Sequence, residues 1–148
     1  MSEEKVEWNT EGVQAHLTIL QSVIQRMASN SASNKAWCIA LVSAILFTVG
    51  NTTTNNPKLA LVALAPTLLF FFLDAYYLTL EKQFRKSYNL FIGKLHKRKI
   101  EVDDLYAITP QGDFWLNFGA SVLSPSVWPF YVTMLLVIFL SLLFILPH

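Results

Sequence analysis

The apolar positions of this chain begin sparse and periodic, become continuous, turn sparse again and end continuous. Val13, Leu17, Leu20, Ile24 and Met27 recur at intervals of three and four, while Gln14, Thr18, Gln21, Gln25 and Arg26 take the other side. That spacing predicts an amphipathic helix. No proline or glycine separates it from the apolar run Ala36 to Gly50, so Ser29 to Lys35 either carry one helix onward or bend at their serines and asparagines. A second run, Leu59 to Leu78, follows the turn-like NTTTNNP, and Pro66 inside it predicts a kink or a freed carbonyl. Beyond it Phe84, Tyr88, Phe91 and Leu95 continue an apolar stripe, which predicts helix to about His96. The turn signal Pro110-Gln111-Gly112-Asp113 comes next. Asp113 is placed to cap a short helix whose Phe114, Trp115 and Phe118 form an interfacial anchor. A third run, Val127 to Leu146, follows SPSVWP, where Ser124 suits a cap and Pro125 the first helical position.

A bilayer core of ~30 Å asks for about 20 predominantly apolar residues. The three runs meet that demand, the first by letting Lys35 snorkel or Thr52 and Thr53 enter the interface. The fold class expected is an all-α membrane protein: three transmembrane helices, an N-terminal amphipathic helix and a cytoplasmic extension of the second span. Its parts are residues 1–35 (cytoplasmic amphipathic helix), 36–80 (transmembrane hairpin), 81–126 (helix extension and interfacial segment) and 127–148 (third span).

Composition agrees, with 53% hydrophobic and 14% charged residues, where a soluble domain carries roughly 25% charged. Net charge is only +1, so placement matters more than total. Lys5, Arg26 and Lys35 precede the first run, Lys82, Arg85, Lys86, Lys94, Lys97, Arg98 and Lys99 follow the second, and Lys58 alone lies in the loop between them. Positive residues favour the cytoplasmic side, which predicts the N-terminus inside and the C-terminus outside, periplasmic or extracellular. Glu3, Glu4, Glu7 and Glu11 replace the basic flank of a cleaved signal peptide, so Met1 reads as the mature start. The Asn51-Thr52-Thr53 sequon falls on the outer loop, close to lipid, a poor acceptor.

The chemistry-bearing residues argue against an enzyme. His16, His96 and His148 stand apart, Cys38 is the only cysteine, and no Gly-rich phosphate loop or nucleophile elbow occurs. No metal, cofactor or nucleic acid is expected. His16 reads as a packed or solvated side chain, and the Lys94 to Lys99 basic run as a topology signal in contact with headgroups, although an anionic nucleotide would also be drawn there. The two amphipathic stripes either pack on each other, within or between protomers, or lie flat on headgroups. The stripes and the polar residues together suggest a homo-oligomeric ring in the membrane lipid.

Asp74 is the anomaly, a carboxylate near the end of an apolar run. Such a residue costs about 2.5–3.5 kcal/mol at the bilayer centre on insertion scales, so it needs a protein partner. Hairpin topology brings Arg26 and Lys35 to its level, with Asn30 and Asn34 alongside, while Arg85 lies three turns away and pairs more naturally with Glu81. The candidate cluster, for ligand binding or gating, comprises Arg26, Asn30, Asn34, Lys35, Asp74, Tyr77, Glu81 and Arg85. Ala36, Ala40 and Ala44 are candidates for close helix packing in an oligomer. A structural clamp holding two helices in register explains Asp74 equally well.

The pair HLTILQSVIQRMASNSASNKAW and LDAYYLTLEKQFRKSY resembles a family of small bacterial inner-membrane proteins. Its pattern here is Arg26, Met27, Ala28, Asn30, Ser31, Lys35 and Trp37, then Leu73, Asp74, Tyr76, Tyr77, Leu78, Glu81, Phe84, Arg85 and Tyr88. The resemblance covers about the first ninety residues and leaves the third span unmatched. It implies a companion of Toll/interleukin-receptor-type (TIR-type) or other nucleotide-signalling proteins in antiphage operons. The function expected is a membrane effector, an oligomer that perturbs membrane integrity by pore formation or depolarisation when triggered; the alternative is a membrane-anchored sensor or scaffold that recruits a soluble cytoplasmic partner.

Overall fold

The structure, a computed structural model, describes residues 11–51 and 57–145. The acidic start with Lys5, the loop from Thr52 to Asn56 and the tail Leu146 to His148 lie outside the described residues. Among the described residues every regular element is helical: α1 (Glu11–Asn51), a 3-10 helix (Pro57–Ala63), α2 (Leu64–His96), a short 3-10 turn (Val102–Asp104), α3 (Phe114–Val122) and α4 (Trp128–Ile145).

α1 is continuous over 41 residues, about 60 Å at 1.5 Å per residue. Its serines and asparagines between Ser29 and Asn34 are weak helix formers, but Ser31 and Asn34 are buried, so tertiary packing overrides propensity. Pro66 falls just past the junction of the 3-10 helix and α2. It is the third residue of α2, which continues without a break from that 3-10 helix, Ala63 already being helical with φ −64° and ψ −17°, so the change of helix type falls where the proline removes a donor. At the other end Arg98 takes a positive φ of 52°, and the Arg98 and Lys99 N–H groups return to the carbonyls of Leu95 and Lys94. That pair of bonds closes α2 in the way a glycine commonly does. Ser124 organises a turn, accepting from the N–H groups of Val127 and Trp128 at its carbonyl. Pro125 therefore lies in this turn, and α4 begins at Trp128, three residues later than the sequence pattern places it.

α1 and α2 form a long antiparallel hairpin, held at successive levels by Ser31 with Asp74, Gln21 with Tyr88 and His16 with Phe91. In its apolar half Cys38, Val42, Ala63, Val127, Tyr131, Met134 and Ile138 make a core shared by α1, the first 3-10 helix and α4. Outward-facing Trp37, Phe47, Leu69, Phe72, Leu136 and Phe139 are all more than half exposed. Glu11–Asn51 and Lys58–His96 are long and apolar enough to cross a membrane; the apolar stretch of α4, Trp128–Leu143, is shorter. Apolar surface this contiguous calls for lipid or a partner rather than water.

The polar half has its own core. Val13, Phe91 and Ile100 are buried there, with Leu17, Leu95 and Leu105 packed around them. The two amphipathic stripes thus meet each other within one protomer, the first of the arrangements the sequence left open. Residues 97–113 close this core as a strap that runs back along α2: Ser87 donates to the Thr109 carbonyl at 2.6 Å, Gln83 to the Gly112 carbonyl at 3.2 Å.

Candidate functional site

Asp74 is fully buried where the apolar half of the hairpin gives way to the polar half. The Ser31 hydroxyl donates to one carboxylate oxygen, and Lys35 Nζ lies 2.6 Å from the other. Lys35 also donates to Ser31 Oγ at 3.3 Å. Ser31 and Lys35 share a face of α1 because they are four residues apart. At 2.6 Å the rotating Lys35 ammonium and the Asp74 carboxylate form an ion pair. The third element joins one turn away: Tyr131 of α4 donates its hydroxyl to the Phe70 carbonyl at 2.9 Å and faces Asp74. Asn34 Nδ2 is buried and meets no acceptor among the described residues.

The structure thus brings together Lys35 and Asp74 from the candidate cluster, with Asn34 buried nearby in sequence. Arg26 is exposed, on a different face from Met27, Ser31 and Asn34, and does not reach the carboxylate. Asn30 and Tyr77 are half-buried, the Tyr77 ring set edge-on to Tyr76. Glu81 and Arg85 pair with each other at 2.8 Å, two turns and more from Asp74. Ala36, Ala40 and Ala44 are exposed on the outer surface of α1. Ser31, a motif position, and Tyr131 are members that the candidate cluster does not include. The i,i+4 spacing of Ser31 to Lys35 is a signal for the first; for Tyr131, one residue among the aromatics that begin α4, nothing local distinguishes a clasp from an interfacial belt.

A second polar constellation sits at the far tip. His16 is buried, 2% exposed, its ring 4.2 Å from that of Phe91. Its Nδ1 accepts the Tyr106 N–H at 2.9 Å, so the neutral ring carries its proton on Nε2. Burial holds the imidazole below its usual pKa, and the Asp104 carboxylate only partly offsets this. For Asp104 burial pushes upward, but hydrogen bonds from Lys94 and the Glu101 N–H, with the charges of Lys94 and His16, hold its carboxyl below the ordinary range. Lys94 Nζ lies 2.6 Å from Asp104. A cavity of about 350 Å3 opens beside this tip, lined by His16, Ser87, Lys94, Asp104, Thr109 and Gln111 among others. On another side of the hairpin an open groove of about 450 Å3 is lined by Gln21, Ile24, Gln25, Ala28, Arg85, Tyr88 and Asn89. Among the described residues no three His, Cys, Asp or Glu side chains converge as metal ligands.

No protein-family model, curated protein or solved structure matches this chain.

Proposed function

We propose that this chain is a three-span bacterial inner-membrane protein, N-terminus cytoplasmic and C-terminus outside, that acts as an effector of antiphage defence by perturbing the membrane when triggered. The observation that carries the mechanism is the Lys35–Asp74–Ser31 clasp. It lies where two uninterrupted helices pass from their polar to their apolar halves, with Tyr131 of α4 one turn away. A rearrangement of the polar half would be carried along α1 and α2 as rigid rods and meet the apolar bundle at this clasp. The protomer core there is filled by Cys38, Val42, Tyr131, Met134 and Ile138, so conduction needs more than one chain. The exposed face with Ala36, Ala40 and Ala44 is the surface on which chains approach in this reading. Defence itself rests on the resemblance carried by the two linked motifs, as does a TIR-type partner or its nucleotide signal.

The test is inducible expression in a bacterium with a membrane-potential dye, together with mass measurement in nanodiscs. Collapse of the potential by the chain alone or on triggering, lost in Asp74→Asn, supports the effector reading. A stable monomer that never depolarises removes it and leaves the second reading, a membrane-anchored sensor or scaffold. The polar groove bounded by Gln21, Arg85 and Tyr88 favours that alternative, since it offers a soluble partner amide and guanidinium donors outside the apolar half.

A further inference from the structure

α3 starts at the level at which the hairpin turns polar, and the turn at Ser124 leads from its end into α4. Its first residue, Phe114, sets its ring against Tyr76 at 5.8 Å, two residues beyond Asp74, and the chain leaving α3 reaches Tyr131 beside Phe70 and Phe71. A nine-residue helix, about 13 Å long, that is entered at Tyr76 and left through the tight turn at Ser124 fits across the hairpin at this level. Phe114 and Phe118 stack on each other and are half-buried against the protein, so they are not the outward anchor. The outward side chains are Trp115, Leu116 and Leu123, exposed by 77%, 76% and 77%. No charged residue occurs from Phe114 through α4 to Ile145. Just on the polar side of this helix, Lys86 Nζ lies beside Gly112, and Lys82 is one turn nearer Asp74 on the same face of α2. The Asp113 carboxylate accepts the Leu116 N–H at 2.7 Å as the cap of α3, and that of Glu81 pairs with Arg85.

We propose that α3 lies in the plane of the membrane against anionic phospholipid, with Trp115, Leu116 and Leu123 at the acyl boundary and Lys82 and Lys86 on the phosphates. Apolar bulk at one level with ammonium groups one or two turns below is complementary to a headgroup layer of negative charge over hydrocarbon. Tryptophan at the outer face suits that boundary, where an apolar ring and a donor N–H are both satisfied. Through the turn at Ser124 this helix holds the start of α4, so the lipid contact also fixes the depth at which Tyr131 meets α2.

The proposal rests on the membrane reading, and one experiment separates the two. Native tryptophans are replaced by phenylalanine to leave Trp115 alone, and a second variant carries only L136W, a depth marker on the exposed face of α4. Both are reconstituted in vesicles whose lipids carry bromine near the headgroup or near the chain end. Trp115 emission is expected to be lost chiefly to headgroup-proximal bromine and the L136W marker to chain-end bromine. Quenching of the marker without Trp115 overturns the proposal and leaves the membrane reading intact; quenching of neither removes both. Chain-end quenching of Trp115 equal to that of the marker overturns the in-plane placement. Bromine on phosphatidylglycerol should quench Trp115 more than bromine on phosphatidylcholine, a preference lost in Lys82→Gln/Lys86→Gln; equal quenching in the parent chain overturns the anionic contact. Helical circular dichroism of each variant checks that it is folded.

Discussion

The two halves of the hairpin solve the same problem with different means. The apolar half buries Cys38, Val42, Ala63 and Ile138 with the single ring of Tyr131, and turns Trp37, Phe47, Phe72 and Phe139 outward; the polar half buries Phe91, Leu20 and even His16, and closes over them with a strap. A chain in water must hide its apolar stripe, whereas a chain in lipid must hide its polar atoms. Asp74, Ser31, Thr67 and Thr79, all buried, mark the second rule, with Thr67 and Thr79 folding their hydroxyls back onto the Ala63 and Ala75 carbonyls.

The sharpest way to break this comparison is to remove the cation from the apolar half. Lys35→Ala leaves Asp74 buried without its counter-charge, which should cost about 3–5 kcal/mol. Replacing both, as Lys35→Met/Asp74→Leu, should recover most of that loss, because the pair's desolvation disappears with the pair. Thermal unfolding in detergent followed by helical circular dichroism reads both, and additive losses in the cycle would show that the residues do not act as a pair.

In the polar half the matching change is Phe91→Ala, expected to cost about 3 kcal/mol through lost burial and the cavity left under His16. The damage should stay local. Trypsin should cut at Lys97 to Lys99 sooner while the Lys35–Asp74 region keeps its protection from hydrogen exchange. Simultaneous loss of protection in both halves would mean that the hairpin is one cooperative unit.

Legibility followed the same division. The periodic stripes and apolar runs announced α1, α2 and α4 because burial there repeats along the chain, and Asp113 announced α3 because a cap acts locally. The strap was illegible for the opposite reason. Its ties, the Tyr106 N–H to His16 and the Thr109 and Gly112 carbonyls to α2, join residues far apart in sequence and use backbone groups that every residue carries. Asp74 was identifiable as a group needing a partner; which of Arg26 and Lys35 supplies it depended on helix phase across Ser29 to Asn34. A bend there would have changed the answer, and packing of Ser31 and Asn34 kept the helix straight through.

A smaller effect should separate the halves by pH. His16 is held below its ordinary value of 6.5, so its neutral form belongs to the folded tip. Its contribution is complete above pH 6.5 and is lost as pH falls below that toward the lowered folded value. Protonation also turns Nδ1 from acceptor to donor, opposing the Tyr106 N–H. Exchange of the Tyr106 amide should therefore quicken relative to its intrinsic rate as pH drops below 6.5, with the apolar half unchanged. Asp104, held below its ordinary 3.8, titrates in a lower window and does not confuse the assignment. His16→Phe should abolish the dependence; an unaltered profile in that variant would place the sensor elsewhere.

The smallest expected change in stability is Arg26→Gln, and it sharpens the comparison most. Arg26 belongs to the motif yet is exposed, on a face that neither half uses for packing. Exposed substitutions of this kind usually move stability by no more than about 0.5 kcal/mol. The same denaturation assay should place Arg26→Gln within that range, against the much larger loss for Lys35→Ala. If activity in the depolarisation assay falls while stability holds, the side chain is serving a partner beyond this protomer, as an exposed guanidinium does when it meets a carboxylate or phosphate. If neither moves, the role of Arg26 is confined to topology, through the positive charge it adds on the side of the polar half. A stability loss comparable to that of Lys35→Ala would instead show that Arg26 turns inward and pairs with Asp74 in the membrane, and the helix phase described for α1 would be wrong.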